Sequence, residues 1–127
     1  MIKVLDASAL LALLLEETGA SAVEAELDDT VISTVNLCEV ATRLGRGQSP
    51  DTVRATLDHL MLVAIPPDEA LAIDAAVIHR LTSKAGLSLG DRFCIALARR
   101  LACPVLTADR PWLKIADTIG VEVRLIR

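Results

Sequence analysis

Aromatic residues are almost missing from this chain: 127 residues hold one Trp, one Phe and no Tyr. That excludes a base-stacking platform for single-stranded nucleic acid and leaves the core to Leu, Val, Ile and Ala. Histidine is nearly as scarce. His59 and His79 each fall in a helical pattern, with no metal-ligand spacing to each other or to a cysteine, which argues against zinc. The three cysteines, Cys38, Cys94 and Cys103, are odd in number and widely separated in apolar surroundings. The expectation is buried reduced thiols rather than a disulfide frame. Net positive charge is lacking too, the formal balance being −4, so any contact with nucleic acid must be local. No apolar run reaches the roughly 18 residues a membrane span needs, and the start carries no signal-peptide pattern. These absences predict a soluble cytoplasmic protein. The G-x-S-x-G elbow, the Walker lysine loop and the Gly-rich dinucleotide turn are also missing, which excludes serine hydrolase, P-loop and Rossmann readings.

What is present is a chain of domain length, read as one domain over residues 1–127, with more than half of its residues hydrophobic. Short Val/Ile/Leu-rich segments at 2–6, 30–33, 62–66, 104–108 and 121–126 read as strands. Helical patterns lie between them at 8–28, with a possible split at Thr18-Gly19, and at 34–46, 50–61, 67–84, 89–102 and 110–117. Apolar strands alternating with helices predict an α/β fold whose parallel sheet is covered on both faces. The segment GRGQSP at 45–50 is the clearest loop, with Pro50 opening the next helix.

Four acids stand out. Asp6 follows the first strand and Asp109 follows the strand ending in Thr107, each opening a helix. In a parallel sheet both fall on the rim formed by the strand carboxyl ends, where ligands of α/β proteins bind. Each also has a structural reading as an N-cap. Asp91 stands three residues after Ser88, the spacing of a capping box. Glu39 lies inside the helix that begins near Thr34, where capping does not explain it. Leu37, Val40, Ala41 and Leu44 cluster on one side of that helix, whereas Asn36, Glu39 and Arg43 share the opposite side. The structural reading there is a solvated face with a Glu39 to Arg43 pair. Taken jointly, several carboxylates on one rim, with Ser8 and Thr107 beside them, would repel one another unless a cation sat among them. Hard oxygen donors without His or Cys favour Mg²⁺ or Mn²⁺, and a carboxylate-held metal is the equipment of phosphodiester hydrolysis.

The segments VLDASALLALL, STVNLCEVATRL, LSLGDRFCIALA and VLTADRPWLKI, in that order along the whole chain, resemble the PIN-domain ribonucleases, specifically VapC-type toxins of toxin–antitoxin pairs. The resemblance implies a PIN-like three-layer α/β sandwich with a mainly parallel sheet of four to five strands flanked by helices. It implies an Mg²⁺- or Mn²⁺-dependent endoribonuclease, usually a homodimer. Its partner would be a small VapB antitoxin whose C-terminal segment covers the active site. Carried over to this sequence, Asp6, Glu39, Asp91 and Asp109 would be the metal-binding acids, with Ser8, Thr107 and Asn36 accessory to them. Some relatives carry a further acid just after the fourth, where this chain has Arg110, Pro111 and Trp112. Arg43, Arg46 and Arg92 stand near the acids in sequence and are candidates for RNA phosphate contacts, with solvated helix faces as the alternative.

Two other functions are open to the same residues. A phosphatase using Asp6 as nucleophile would normally carry a second Asp two residues on, where Ser8 stands, and no convincing Lys partner is present. A catalytically silent module that binds an antitoxin or nucleic acid is the other.

Overall fold

The computed structural model describes residues 1–127. Five strands, β1 (Lys3–Leu5), β2 (Thr30–Ser33), β3 (Val63–Ile65), β4 (Val105–Thr107) and β5 (Val123–Leu125), alternate with seven helices. The helices are α1 (Ala7–Leu14), α2 (Ala20–Glu26), α3 (Thr34–Leu44), α4 (Pro50–His59), α5 (Glu69–Leu81), α6 (Leu89–Leu101) and α7 (Ala116–Ile119). Two 3-10 turns, Leu27–Asp29 and Arg110–Lys114, complete the set. The sheet is wholly parallel in the order β3-β2-β1-β4-β5. Successive strands step outward from β1 in one direction through β2 and β3, then the chain returns to the other flank of β1 with β4. The crevice between the carboxyl ends of β1 and β4 is therefore a topological switch point, the usual ligand site of an open α/β sheet.

Alternation along the strands builds two apolar layers. Val4, Val31 and Val105 face one side, where they meet Leu71, Ile78, Ile95, Leu97 and Trp112 under α5, α6 and the second 3-10 turn. Leu5, Ile32 and Leu106 face the other, against Leu10, Val23, Val40, Leu44 and Ile126 under α1 to α4. The three-layer sandwich expected from the sequence is what forms.

Local chemistry explains the element boundaries. The helical pattern over 8–28 does split at Gly19, which has φ +97, a conformation L side chains rarely adopt. A Cβ there would also stand 2.7 Å from the carbonyl oxygen of Ile126. Ser49 caps α4 and Pro50 occupies its first turn. Asp68 caps α5 through the Leu71 amide at 2.8 Å; Arg100 of α6 grips the same carboxylate with two nitrogens, at 2.9 and 3.0 Å. That pair holds the Asp68 carboxyl down at about 2.

Two expectations fail in detail. The segment 110–117 is not one helix but a 3-10 turn followed by the four-residue α7; Pro111 removes a donor at its start. Of the three free cysteines only Cys94 is buried, Cys103 is intermediate and Cys38 is exposed. His59 and His79 are exposed. No helix is long and apolar enough to cross a membrane.

Candidate active site

Asp6 leaves β1 with an extended backbone (φ −75, ψ 155) at the N-cap of α1, yet its side chain caps nothing. Its Oδ2 instead accepts two hydroxyls, Ser8 Oγ at 2.6 Å and Thr107 Oγ1 at 2.8 Å. Each hydroxyl in turn accepts a backbone N–H: Ala108 N reaches Ser8 Oγ and Asp109 N reaches Thr107 Oγ1, both at 3.0 Å. Each hydroxyl has one proton and spends it on Asp6, so the 3.2 Å approach of Ser8 Oγ to Thr107 Oγ1 carries no proton of its own. Both bonds fall on one oxygen, and neither hydroxyl reaches Oδ1. Asp6 is 4% exposed. Burial pushes its carboxyl up to about 6 from the ordinary 3.8, against the pull of Ser8 and Thr107 and with a smaller push from the Asp91 charge.

Glu39 stands on α3, half-buried, and Asp91 on the first turn of α6. Burial raises both carboxyls. The charge of Asp91 adds to the rise at Glu39, and that of Asp109 to the rise at Asp91. Cys94, one turn beyond Asp91, reports the same convergence from behind: burial first, then the charges of Asp6, Asp91 and Glu39, hold its thiol well above the usual range. Three of the acids therefore share one electrostatic neighbourhood at the switch-point crevice, and Asp109 adjoins them through Asp91.

The capping alternatives divide. Asp109, like Asp6, sits at an N-cap position without a side-chain capping bond. Asp91 does complete a capping box: Ser88 N donates to Asp91 Oδ2 at 2.9 Å, and Asp91 N donates to Ser88 Oγ at 3.1 Å. The Glu39 to Arg43 ion pair does not form. Glu39 Oε2 instead accepts Asn36 Nδ2 at 3.0 Å, and the same nitrogen donates to the Gly90 carbonyl oxygen at 3.0 Å. Asn36 is fully buried, which corrects the solvated face expected for this side of α3: it packs on α6. Asn36 Oδ1 is left buried without a donor, a burden of about 1–3 kcal/mol.

Gly90 is the residue that sequence reasoning missed. Its signal was a glycine, a weak helix former, in the first turn of α6 beside Asp91. The arginines separate as well. Arg43 and Arg46 are exposed and make no ion pair. Arg92 is half-buried and reaches across to the Ala75 carbonyl of α5 at 3.4 Å, with its Nε buried and unpartnered; it packs between helices instead of facing solvent. Arg110 donates to the Arg127 carbonyl at 2.7 Å.

The donor set on this rim is carboxylate and hydroxyl oxygen, with the histidines elsewhere and Cys94 sealed beneath, so its chemistry fits a hard divalent cation. The carboxylates are not drawn into a ready-made coordination cluster. Their like charges oppose that, and Asp6, Glu39 and Asp91 are each tied to a neighbouring donor. Beyond the rim, an apolar groove of about 860 Å³ runs between α3, α4 and the β3 edge, lined by Leu37, Cys38, Ala41, Val53, Leu57 and Met61 among others and by none of the four acids.

Comparison with solved structures finds the same fold at low identity. The chain is similar to DNA-bound VapBC from Salmonella typhimurium (17% identity, TM-score 0.77, 100% of each chain covered). It is similar to a toxin–antitoxin complex from Klebsiella pneumoniae (18%, 0.75, 98% of each). A third likeness is VapBC-5 from Mycobacterium tuberculosis (24%, 0.66, covering 99% of this chain and 98% of that one). No match is found among curated proteins. Among family models, that of the PIN domain matches residues 3–117, a span holding β1 to β4 and all four rim acids, and the chain belongs to the PIN-domain family.

Proposed function

We propose that residues 1–127 act as one PIN unit, a metal-dependent endoribonuclease serving as the toxin of a VapBC-type pair in the cytoplasm. What supports this reading is that Asp6, Glu39, Asp91 and Asp109 act on one another's charge through Asp91 in a PIN fold, with Asp6 buried and held by Ser8 and Thr107.

Asp6 and Asp91 would hold Mg²⁺ or Mn²⁺ directly, with Glu39 and Asp109 completing the site directly or through water. When bound, such an ion lowers the pKa of a coordinated water and neutralises charge on the phosphate. Ser8 and Thr107 keep the Asp6 carboxylate oriented, and the hydrogen bonds they donate favour its ionised, ligating form. Glu39 and Asp109 orient the attacking water. The water gives up a proton to solvent as its oxygen bonds to phosphorus; the bond from phosphorus to O3′ breaks, and O3′ takes up a proton from solvent to leave as a hydroxyl. The products carry a 5′-phosphate and a 3′-hydroxyl.

The net charge of −4 confines RNA contacts to local groups, and the exposed, unpaired Arg43 and Arg46 suit that role. For protein partners, the groove between α3 and α4 offers an antitoxin an apolar seat. An exposed stripe on α5, Ile73, Val77 and Leu81, repeats at helical spacing and suits a second copy of the chain.

The test incubates purified protein with total RNA in Mg²⁺, Mn²⁺ or EDTA, beside Asp91→Asn, and sequences the new 5′ ends. Discrete metal-dependent cuts with 5′-phosphates, absent from the variant, are expected. Cyclic phosphates at the cut 3′ ends would refute hydrolysis by water, and cutting that persists in Asp91→Asn would refute the assignment of the site.

A further inference from the structure

Among the rim acids Glu39 alone has a long, flexible side chain. Its carboxylate lies directly against the α-carbon of Gly90: a Cβ built there would run into Glu39 Oε1, Cδ and Oε2, the three nearest atoms it would meet. Gly90 is buried in the first turn of α6 and does not adopt the left-handed conformation that favours glycine. Its own backbone therefore gives no reason for glycine, and its helical position disfavours it. The space it leaves is taken by the Glu39 carboxylate.

Asn36 closes the seat from the other side. One turn before Glu39 on α3, its amide nitrogen donates both to Glu39 Oε2 and to the Gly90 carbonyl oxygen, each at 3.0 Å. Both amide hydrogens are thereby committed, and the amide cannot be turned over, because Oδ1 would then face two acceptors. One side chain thus ties the acid of α3 to the backbone of α6 next to Asp91.

We infer that Asn36 and Gly90 are positioning residues for Glu39, seating its carboxylate against α6 so that α3 and α6 present Glu39 and Asp91 as a fixed pair to a divalent cation. This rests on the proposed reading of the acids as a cation site. Glutamate loses more side-chain freedom on being fixed than aspartate does, so it is the acid that needs a built seat. The three aspartates are shorter and stand next to their strand or helix ends, where Ser8 and Thr107 hold Asp6 and the Ser88 capping box holds Asp91.

Two measurements test it together. Thermal melts in EDTA should show Gly90→Ala raising the melting temperature more in a Glu39→Ala background, where the obstructing atoms are gone, than in the otherwise unaltered chain, where the carboxylate must give way. Calorimetric titration with Mn²⁺ should show Gly90→Ala and Asn36→Leu each weakening binding at least tenfold. Neither should weaken it further once Glu39 is Ala. If Gly90→Ala fails to fold, Asn36→Leu, which keeps the size and loses both donors, carries the titration alone. Unchanged Mn²⁺ affinity in folded Asn36→Leu and Gly90→Ala, with affinity lost in Asp91→Asn, would overturn the positioning role while leaving the acid site standing. No Mn²⁺ binding by the unaltered chain would overturn the site reading and the inference with it.

Discussion

Replacing Asp6 by Asn should stabilise the protein, and the size of the gain should depend on pH. The folded state holds the Asp6 proton more tightly than the unfolded chain, at about 6 against 3.8. Stability carried by this group is therefore full below about pH 4 and drains away as pH rises through 6. A gap of about two pKa units, at about 1.4 kcal/mol each, amounts to roughly 3 kcal/mol at neutral pH. Asn has nearly the same shape and can accept the Ser8 and Thr107 hydroxyls through its carbonyl oxygen, but it has no charge to bury. Urea unfolding in EDTA should show Asp6→Asn more stable than the unaltered protein by roughly 2–3 kcal/mol at pH 8 and nearly equal to it at pH 4. Asp68 behaves oppositely, its contribution fading as pH falls from about 4 towards 2, but it is common to both proteins and cancels. A variant that is less stable at pH 8, or a difference that does not change with pH, would refute the account of Asp6 as a carboxylate held in a site that disfavours its charge.

Mg²⁺ or Mn²⁺ should raise the melting temperature of the unaltered protein by mass action and leave Asp6→Asn nearly unmoved; equal shifts in both would count against a shared site. Thr107→Val removes one of the two hydroxyls holding the ionised Asp6, so the acid limb of the pH–rate profile should move to higher pH, and an unmoved limb would deny Thr107 that role. Charge reversal at Arg43 and Arg46 should weaken RNA binding and flatten its salt dependence. Arg92→Gln should chiefly lower stability, as measured by thermal melts, because that guanidinium is engaged with α5. Trp112→Ala empties a site only 1% exposed and should cost about 3–5 kcal/mol in urea unfolding; a loss below about 1 kcal/mol would show that the turn after Asp109 is not packed as described.

The strands are readable because each is a short run rich in Val, Ile or Leu; all five runs are strands, 30–33 with its bounds unchanged and the other four with ends shifted by a residue or two. Asp6 and Asp109 were placeable for the same reason, since a residue just after a parallel strand must lie on its carboxyl rim. The surroundings of Glu39 were not legible. A single helical wheel sorts α3 into apolar and polar sides, whereas α3 packs against both the sheet and α6, so the polar Asn36 faces a neighbour that the wheel does not contain. Cys38 fails by the same logic: apolar neighbours in sequence do not bury a residue that the helix turns outward. Gly90 had no visible purpose until the Glu39 carboxylate stood on it. Arg92 shows the converse, a charge near the acids in sequence whose guanidinium lies half-buried against α5.

The partnership of β1 with β4 sets when the rim of acids is complete. Asp6 and Thr107 lie 101 residues apart in sequence yet share a hydrogen bond, and the β1 to β4 ladder that joins them spans nearly the whole chain. Such distant pairing forms late, after the intervening loop has closed. During synthesis the first half of the sheet emerges with Asp6 and Glu39 but without Asp91, Asp109 or the strand that seats Asp6. The rim is therefore complete only when translation is nearly finished, and until then Asp6 and Glu39 stand without the strand and helix that bring Thr107, Asp91 and Asp109 to them.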